Sequence, residues 1–249
     1  MLTIERQNQI LAALQKQQFV RTNELAEELN TSLSTIRRDL KEMEELGLLR
    51  RCHGGAQLVS SRIDEEKLSD KTTFQMEAKL KIGVVAAKKI KPRSVIFLDA
   101  GSTTLQMIPH LAGKEITVVT NSIIHANQLM QHHIPTYIIG GMIKENTQAI
   151  INTTALEQLQ QFHFDYAFVG ANAIDVQDGF MTPDPEEASI KKVAIQHSGQ
   201  AYVLTDHTKF DRSSFVTFSA LEDAKIITDF CPEALRQEIQ EKTQLEELL

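Results

Sequence analysis

The chain has only two cysteines, Cys52 and Cys231. They stand in what read as different domains, so no disulfide framework is implied and a reducing cytoplasm fits. There is no apolar run near the ~18–20 residues of a membrane span, and the start Met1-Leu2-Thr3-Ile4-Glu5-Arg6 lacks a signal peptide's apolar centre. An excess of positive charge is missing as well. The formal net charge is −7, which argues against indiscriminate nucleic-acid binding. None of the eight histidines falls in a His-Glu-x-x-His or Cys/His ligand pattern. Neither a Walker Gly-Lys-Ser/Thr nor a Gly-x-Gly-x-x-Gly fingerprint occurs, so no metal and no cofactor are expected.

What is present suits a soluble globular protein of two domains. A length of 249 residues is comfortable for two, and 42% hydrophobic with 24% charged residues is ordinary. Charge is unevenly placed: residues 1–59 hold 8 Lys/Arg and 8 Asp/Glu, so the remainder carries the whole net −7. An acidic remainder is repelled by DNA and leaves binding to a local cationic patch.

In the first segment, Ile4, Ile10, Leu11 and Leu14 recur at helical spacing from Thr3 to about Gln17. Phe19-Val20-Arg21 reads as an extended link, and Thr22 as the cap of a second helix holding Leu25, Ala26 and Leu29. After Asn30-Thr31 a tight turn delivers the chain to Ser32, a good N-cap for the stretch Leu33 to Met43. Ile36, Leu40 and Met43 form a core stripe there, while Ser34, Arg38 and Lys41 point away, flanked by Thr35 and Arg37. Two short helices joined by a tight turn, the second with hydroxyls and arginines at its start, have the geometry of a helix-turn-helix. Gly47 is the expected C′ residue. Gly54-Gly55 then predicts a hairpin, a wing whose Arg50, Arg51 and His53 lie near the phosphate backbone, with at most one of the two arginines facing DNA squarely.

Arg6, the run Ser32-x-x-Thr35-Ile36-Arg37-Arg38-Asp39-Leu40, Leu46-Gly47 and His53-Gly54-Gly55-Ala56 resemble the DeoR family of bacterial transcription regulators. The resemblance implies that Ser34, Thr35, Arg37, Arg38, Lys41, Arg50, Arg51 and His53 meet operator DNA, Arg38 reaching a base edge. Asp39 is expected to brace the helix or orient an arginine.

Residues 60–75 read as a linker, so the domains are 1–59 (winged helix-turn-helix), 60–75 and 76–249 (an α/β effector-binding and oligomerisation domain). A helix is expected over Met76–Lys91 with Leu80, Val84, Ala87 and Ile90 on its inner side. Short apolar runs at 95–98, 116–119, 136–139, 166–169, 201–204 and 226–228, mostly separated by helical segments, predict a mostly parallel sheet. Pro232 to Leu249 reads as a closing helix.

Ligands of such sheets sit at the strands' carboxyl ends. Asp99-Ala100-Gly101-Ser102-Thr103-Thr104 follows one strand and offers backbone N–H groups and three hydroxyls, which suits a phosphate. An ordinary capped turn accounts for it equally. Asn121 and Gly140-Gly141, at the next strand ends, read as contacts to sugar hydroxyls or as turns. Glu186-Glu187 with Lys191 reads by default as a salt-bridged helix surface, whereas Asp206 with Lys209 is better placed for ligand contact. The Asp-x-Gly-Ser-Thr-Thr loop, Thr120-Asn121, Gly140-Gly141, Glu187-Ala188-x-x-Lys191 and Asp206-x-x-Lys209-Phe210 resemble the DeoR effector domain, which is related to the ribose-5-phosphate isomerase fold. The resemblance implies a repressor, homo-oligomeric on DNA, relieved by a phosphorylated sugar that it does not turn over. Glu187, Lys191, Asp206 and Lys209 are chemically capable of acid–base work, so a sugar-phosphate isomerase or deaminase with a DNA-binding appendage is the alternative.

Overall fold

A computed structural model describes residues 3–17, 19–45, 48–52, 54–58 and 68–248. The chain divides into two compact units, Met1–Ser61 and Arg62–Leu249.

The first unit runs α1 (Thr3–Gln17), β1 (Phe19–Arg21), α2 (Thr22–Glu28), α3 (Leu33–Glu45), β2 (Leu49–Cys52) and β3 (Gly55–Leu58). The three strands form an antiparallel sheet in the order β1-β3-β2. The apolar stripes meet as expected, with Ile10, Leu14, Val20, Leu25, Ile36, Leu40, Met43 and Leu49 in one core. Ser32 caps α3, its Oγ accepting from the Thr35 amide at 3.2 Å. Thr22, in contrast, is the first helical residue, and the cap position falls to Arg21. The reason is that β1 runs straight into α2, Thr22 N donating to the Gly54 carbonyl at 2.8 Å. In the wing, Gly54 has φ +83°, and a Cβ on Gly55 would stand 2.3 Å from the Val20 carbonyl oxygen. The first glycine serves the turn and the second the close approach of β1. Gly47 and His53 lie outside the described residues.

The second unit begins with α4 (Leu68–Thr73) and α5 (Met76–Lys88), then β4 (Val95–Leu98), α6 (Ser102–Leu105), β5 (Thr117–Thr120), α7 (Ile123–Gln131) and β6 (Thr136–Ile138). It continues through β7 (Met142–Ile143), β8 (Ile150–Ile151), α8 (Thr153–Leu159), β9 (Phe164–Gly170), β10 (Ala173–Asp175), β11 (Gly179–Thr182), α9 (Pro185–Gln196) and β12 (Ser198–Thr205). It ends with β13 (Val216–Ser219), β14 (Lys225–Thr228), α10 (Glu233–Lys242) and β15 (Leu245–Glu247). Seven strands form a parallel sheet in the order β15-β14-β12-β9-β4-β5-β6. Alternate residues feed opposite faces: Phe97, Ala167, Val169 and Val203 join one core, Ile96, Leu98, Phe168 and Leu204 the other.

Three expectations are corrected. The 60–75 linker is too long, because Leu68–Thr73 is helical and Leu68 is buried in the second unit. The inner side of α5 is met in part: Ala87 and Ile90 are buried as expected, but Lys79, Ile82, Gly83 and Ala86 make up the rest of the buried stripe, while Val84 is half-buried and Leu80 is 41% exposed. The closing helix stops at Lys242, and Leu245–Glu247 adds a strand that pairs with β14.

From β4 the chain first builds outward through β5 and β6, then returns to β9 on β4's other side and builds through β12 and β14. The sheet order therefore reverses between β4 and β9, and the crevice at their carboxyl ends is where this architecture binds ligands.

Candidate functional site

In the first unit, the outward side of α3 is what a groove-inserting helix requires. Ser34, Arg37, Arg38 and Lys41 are exposed and Thr35 half-buried, with Ile36, Asp39, Leu40 and Met43 beneath. Asp39 braces the helix: Arg6 of α1 donates through Nε and Nη2 to its two oxygens at 2.5 and 2.9 Å. A groove between α2, α3 and the wing is lined by Arg21, Arg37 and Arg51 with Thr22, Asn23 and Gly54. Arg21 was not among the expected residues, since sequence reading assigned it only to a link. Arg51 donates to Glu44 at 2.5 Å, which takes up part of its charge. Lys41 lies 3.8 Å from Glu45, an exposed pair of little strength.

In the second unit, the crevice between β4 and β9 holds a cavity of about 50 Å³. Its walls come from Gly101, Ser102 and Thr103 after β4, Ala171 and Asn172 after β9, Thr205 at the end of β12 with Asp206 and Lys209 beyond it, and Glu187 and Lys191 of α9. Leu68 and Lys71 of α4, Phe74 between the two helices and Lys79 of α5 line it as well. Lys79 is only 2% exposed, and its Nζ donates to the Lys71 carbonyl, tying α5 to α4. Leu68 N donates to the Asn146 carbonyl at 2.9 Å.

The charges are arranged in layers. Lys191 Nζ donates to Asp99 Oδ2 in a buried ion pair, and the same oxygen accepts from Gly170 N at 3.0 Å, which locks β4 to β9. Glu187 accepts from Thr147 Oγ1 at 2.7 Å and has Lys144 Nζ at 3.4 Å, while Lys144 also reaches Asp184 at 2.6 Å. Burial alone would raise the Asp206 carboxyl, but the Lys209 cation, the Thr208 hydroxyl and the Lys79 cation outweigh it and hold Asp206 below the usual range. Four lysines face two carboxylates around the cavity, a local cationic excess in a chain of net charge −7. Such walls, with hydroxyls and loop amides added, suit a phosphate ester.

Behind the loop lies a second layer that makes no cavity wall. Thr104 Oγ1 donates to the Asp99 carbonyl at 2.6 Å and sits 3.1 Å from His125 Nε2, whose Nδ1 is 2.7 Å from Ser122 Oγ. If Thr104 donates to the carbonyl, Nε2 must carry the imidazole proton and Nδ1 accepts from Ser122. Burial depresses this imidazole to about 4, against the opposing pull of Asp99.

Of the expected effector residues, Gly101, Ser102, Thr103, Glu187, Lys191, Asp206 and Lys209 line the cavity, and Asp99 holds Lys191. Glu187 and Lys191 are buried, so the reading of that pair as helix surface is corrected. Four expected contacts stand elsewhere. Thr104 faces His125; Asn121 Oδ1 accepts from Ala100 N at 3.1 Å and so supports the loop; Gly140 N donates to Gln158 at 2.8 Å. Gly141 has φ +153° and its Cα hydrogens face the Ile151 carbonyl, where a Cβ would come within 2.6 Å of the oxygen. Lys71, Lys79, Lys144, Thr147 and Asn172 were missed. Only Lys79 left a sequence signal, a lone cation three residues before Ile82 on the buried stripe of α5.

Among the described residues no group of three His, Cys, Asp or Glu is placed to hold a metal ion, and no helix is long and apolar enough to cross a membrane. A family model described as a DeoR-like helix-turn-helix domain matches residues 6–62, and one described as a DeoR C-terminal sensor domain matches residues 74–230. The chain is 42% identical to an HTH-type transcriptional regulator FruR of Bacillus subtilis, itself described as uncharacterized, over 98% of this chain and 97% of that one. It is 33% identical to the lactose phosphotransferase system repressor of Staphylococcus epidermidis (90% and 91% covered). The glycerol-3-phosphate regulon repressor of Escherichia coli is also 33% identical (87% and 86%). Among solved structures, ribose 5-phosphate isomerase A of Methanocaldococcus jannaschii aligns over 54% of each chain with 21% identity and a TM-score of 0.42. With a helix-turn-helix unit, a sensor unit and relatives alike over nearly their whole lengths, the chain belongs to the DeoR family of transcriptional regulators.

Proposed function

We propose that this regulator represses a sugar-utilisation operon and releases its operator when a phosphorylated sugar enters the cavity between β4 and β9. The observation that carries the reading is the excess of buried and half-buried lysine around Ser102 and Thr103 in an otherwise acidic unit. A phosphate ester meets such ammonium groups, hydroxyls and loop amides with charge-assisted hydrogen bonds that an uncharged sugar cannot make. The names of two relatives, a glycerol-3-phosphate regulon repressor and a lactose phosphotransferase system repressor, support the same class of ligand. In this reading Ser102, Thr103 and the loop amides take the phosphate, and Glu187, Asp206 and Asn172 take sugar hydroxyls. Arg38 reads a base edge, and Ser34, Thr35, Arg37, Lys41, Arg50, Arg51 and His53, joined by Arg21, divide between bases and phosphates.

The regulator acts as two or more copies, because one winged helix makes few base contacts and paired half-sites raise affinity and specificity. It is not an enzyme in this reading. Lys191 is committed to Asp99 and Glu187 to Thr147 and Lys144, so two of the four groups that would move protons are already engaged within the fold.

Coupling follows from the cavity's walls, which α4 and α5 complete. Helix α4 is the wall nearest in sequence to the first unit, and its displacement would be felt there. A thermal-shift and hydrogen-exchange screen with fructose 1-phosphate, tagatose 6-phosphate and glycerol 3-phosphate tests this. A phosphate ester raises the melting temperature and loosens the α4 amides while the unphosphorylated sugar does neither. Conversion of any of these esters to product would favour the enzyme instead.

A further inference from the structure

From Ile116 to Ile143 the chain runs 28 residues without one Asp, Glu, Lys or Arg. At the chain's own 24% such a run would hold about seven charges. Burial explains the β5 part of the silence but not the rest, because twelve residues of the run are exposed. They include large apolar side chains: Met130 is 66% and Tyr137 60% exposed, and Ile138, Met142 and Ile143 are about half exposed. Met130 and Ile138 line one open groove with Ala126, His133 and Pro135.

Among the described residues, no strand pairs with the outer edge of β6. β6 is the terminal strand of the seven-stranded sheet. Val118 N donates to the Pro135 carbonyl and Ile139 N to the Thr120 carbonyl, so the odd-numbered residues bond β5. The N–H and C=O groups of Thr136 and Ile138 therefore point out of the sheet. At the opposite edge, β15 carries charged residues, Glu246 paired with Lys89 and Glu247 with Arg236. β6 carries no charge.

We propose that the β6 edge, with Met130, Tyr137 and Ile138 around it, is the surface through which two copies of this chain associate. In a two-fold pairing the same patch serves both copies, so a patch of one charge sign would face its like and an uncharged one does not. In a chain of net charge −7, this is the face where two copies meet without that penalty. Met130 and Ile138 flank the edge on one face of the sheet and Tyr137 on the other, so apolar surface borders the open strand on both sides. Antiparallel pairing of the two β6 strands would also satisfy the outward groups of Thr136 and Ile138. This deepens the two-copy reading above and fails separately from it.

The test is sedimentation equilibrium of the full-length chain with Ile138→Glu and Met130→Lys, and with Phe215→Glu as a control at an apolar residue exposed elsewhere. The expected result is that the first two halve the wild-type mass while keeping its thermal unfolding, and that the control leaves the mass unchanged. On the wild-type chain, which needs no substitution, amide protection at residues 136 and 138 should rise with protein concentration. Folded Ile138→Glu and Met130→Lys chains of wild-type mass, or concentration-independent protection at 136 and 138, would overturn the surface but leave the two-copy reading standing. A wild-type monomer at 100 µM overturns both.

Discussion

Arg6 of α1 and Asp39 of the recognition helix α3 form a two-pronged ion pair at 2.5 and 2.9 Å, with the Asp39 side chain only 1% exposed. A residue within a DNA-facing helix thus spends its charge inward, fixing the angle at which α3 leaves the core. Asp39→Asn leaves Arg6 without its counter-charge and is expected to destabilise the first unit by about 3 kcal/mol. Hydrogen exchange of α1 and α3 amides under mild urea measures this. Unchanged protection would mean the pair contributes nothing.

Lys191 and Asp99 pose the same problem inside the sensor unit. Lys191→Met strands a carboxylate behind the cavity and should cost about 3 kcal/mol, together with the effector response. Adding Asp99→Asn to it should recover most of the stability by removing the stranded charge, but not the response. Denaturant midpoints and operator release, measured on both chains, separate the two effects.

The two units are expected to fail independently. Ser102→Ala and Thr103→Ala should each raise the effector concentration for half-release of operator about tenfold, as for the loss of a charge-assisted hydrogen bond, with operator affinity unchanged. Arg38→Ala should abolish sequence-specific footprinting while leaving the thermal shift by effector intact. A Ser102→Ala chain that releases DNA at wild-type effector concentrations would contradict the phosphate-loop assignment.

His125 gives the sensor unit a pH dependence. Its imidazole titrates at about 4 in the fold against 6.5 in a free chain, so between those values the unfolded chain binds a proton that the folded one does not. Stability from this group is complete above pH 6.5 and is lost as pH falls toward 4, by roughly 3 kcal/mol in all. His125→Asn should flatten that slope in urea titrations at pH 4.5 and 7. An equal slope in both chains would place the dependence on other groups.

The first unit was largely legible because its cues are local: the Ser32 cap, the Ile36-Leu40-Met43 stripe and the Gly54-Gly55 turn each act within a few residues. The parallel sheet was legible for a similar reason, its β-branched runs being buried on both faces. Elsewhere the deciding partner lies far along the chain. Leu245–Glu247 is a strand because β14 offers an edge, and Glu187 is buried because Thr147 and Lys144 reach it from forty residues away. On α5 the expected Ala87 and Ile90 are buried, but Leu80 and Val84 stand one residue off the buried Lys79 and Gly83, which hid Lys79. Asn121 and Gly140-Gly141 have the residue types of a ligand site and serve as supports, a distinction that needs three-dimensional neighbours to draw.

The central claim is that one phosphate ester, bound between β4 and β9, lowers the regulator's hold on DNA. Fluorescence anisotropy on an operator duplex selected from random sequence by the chain itself, titrated with fructose 1-phosphate, tagatose 6-phosphate and glycerol 3-phosphate beside their unphosphorylated parents, measures it directly. The account predicts that at least one ester releases the duplex, that its parent does not, and that Ser102→Ala shifts the curve to higher concentration. Esters that raise the melting temperature while the duplex stays bound, or parents that release it equally well, would contradict it.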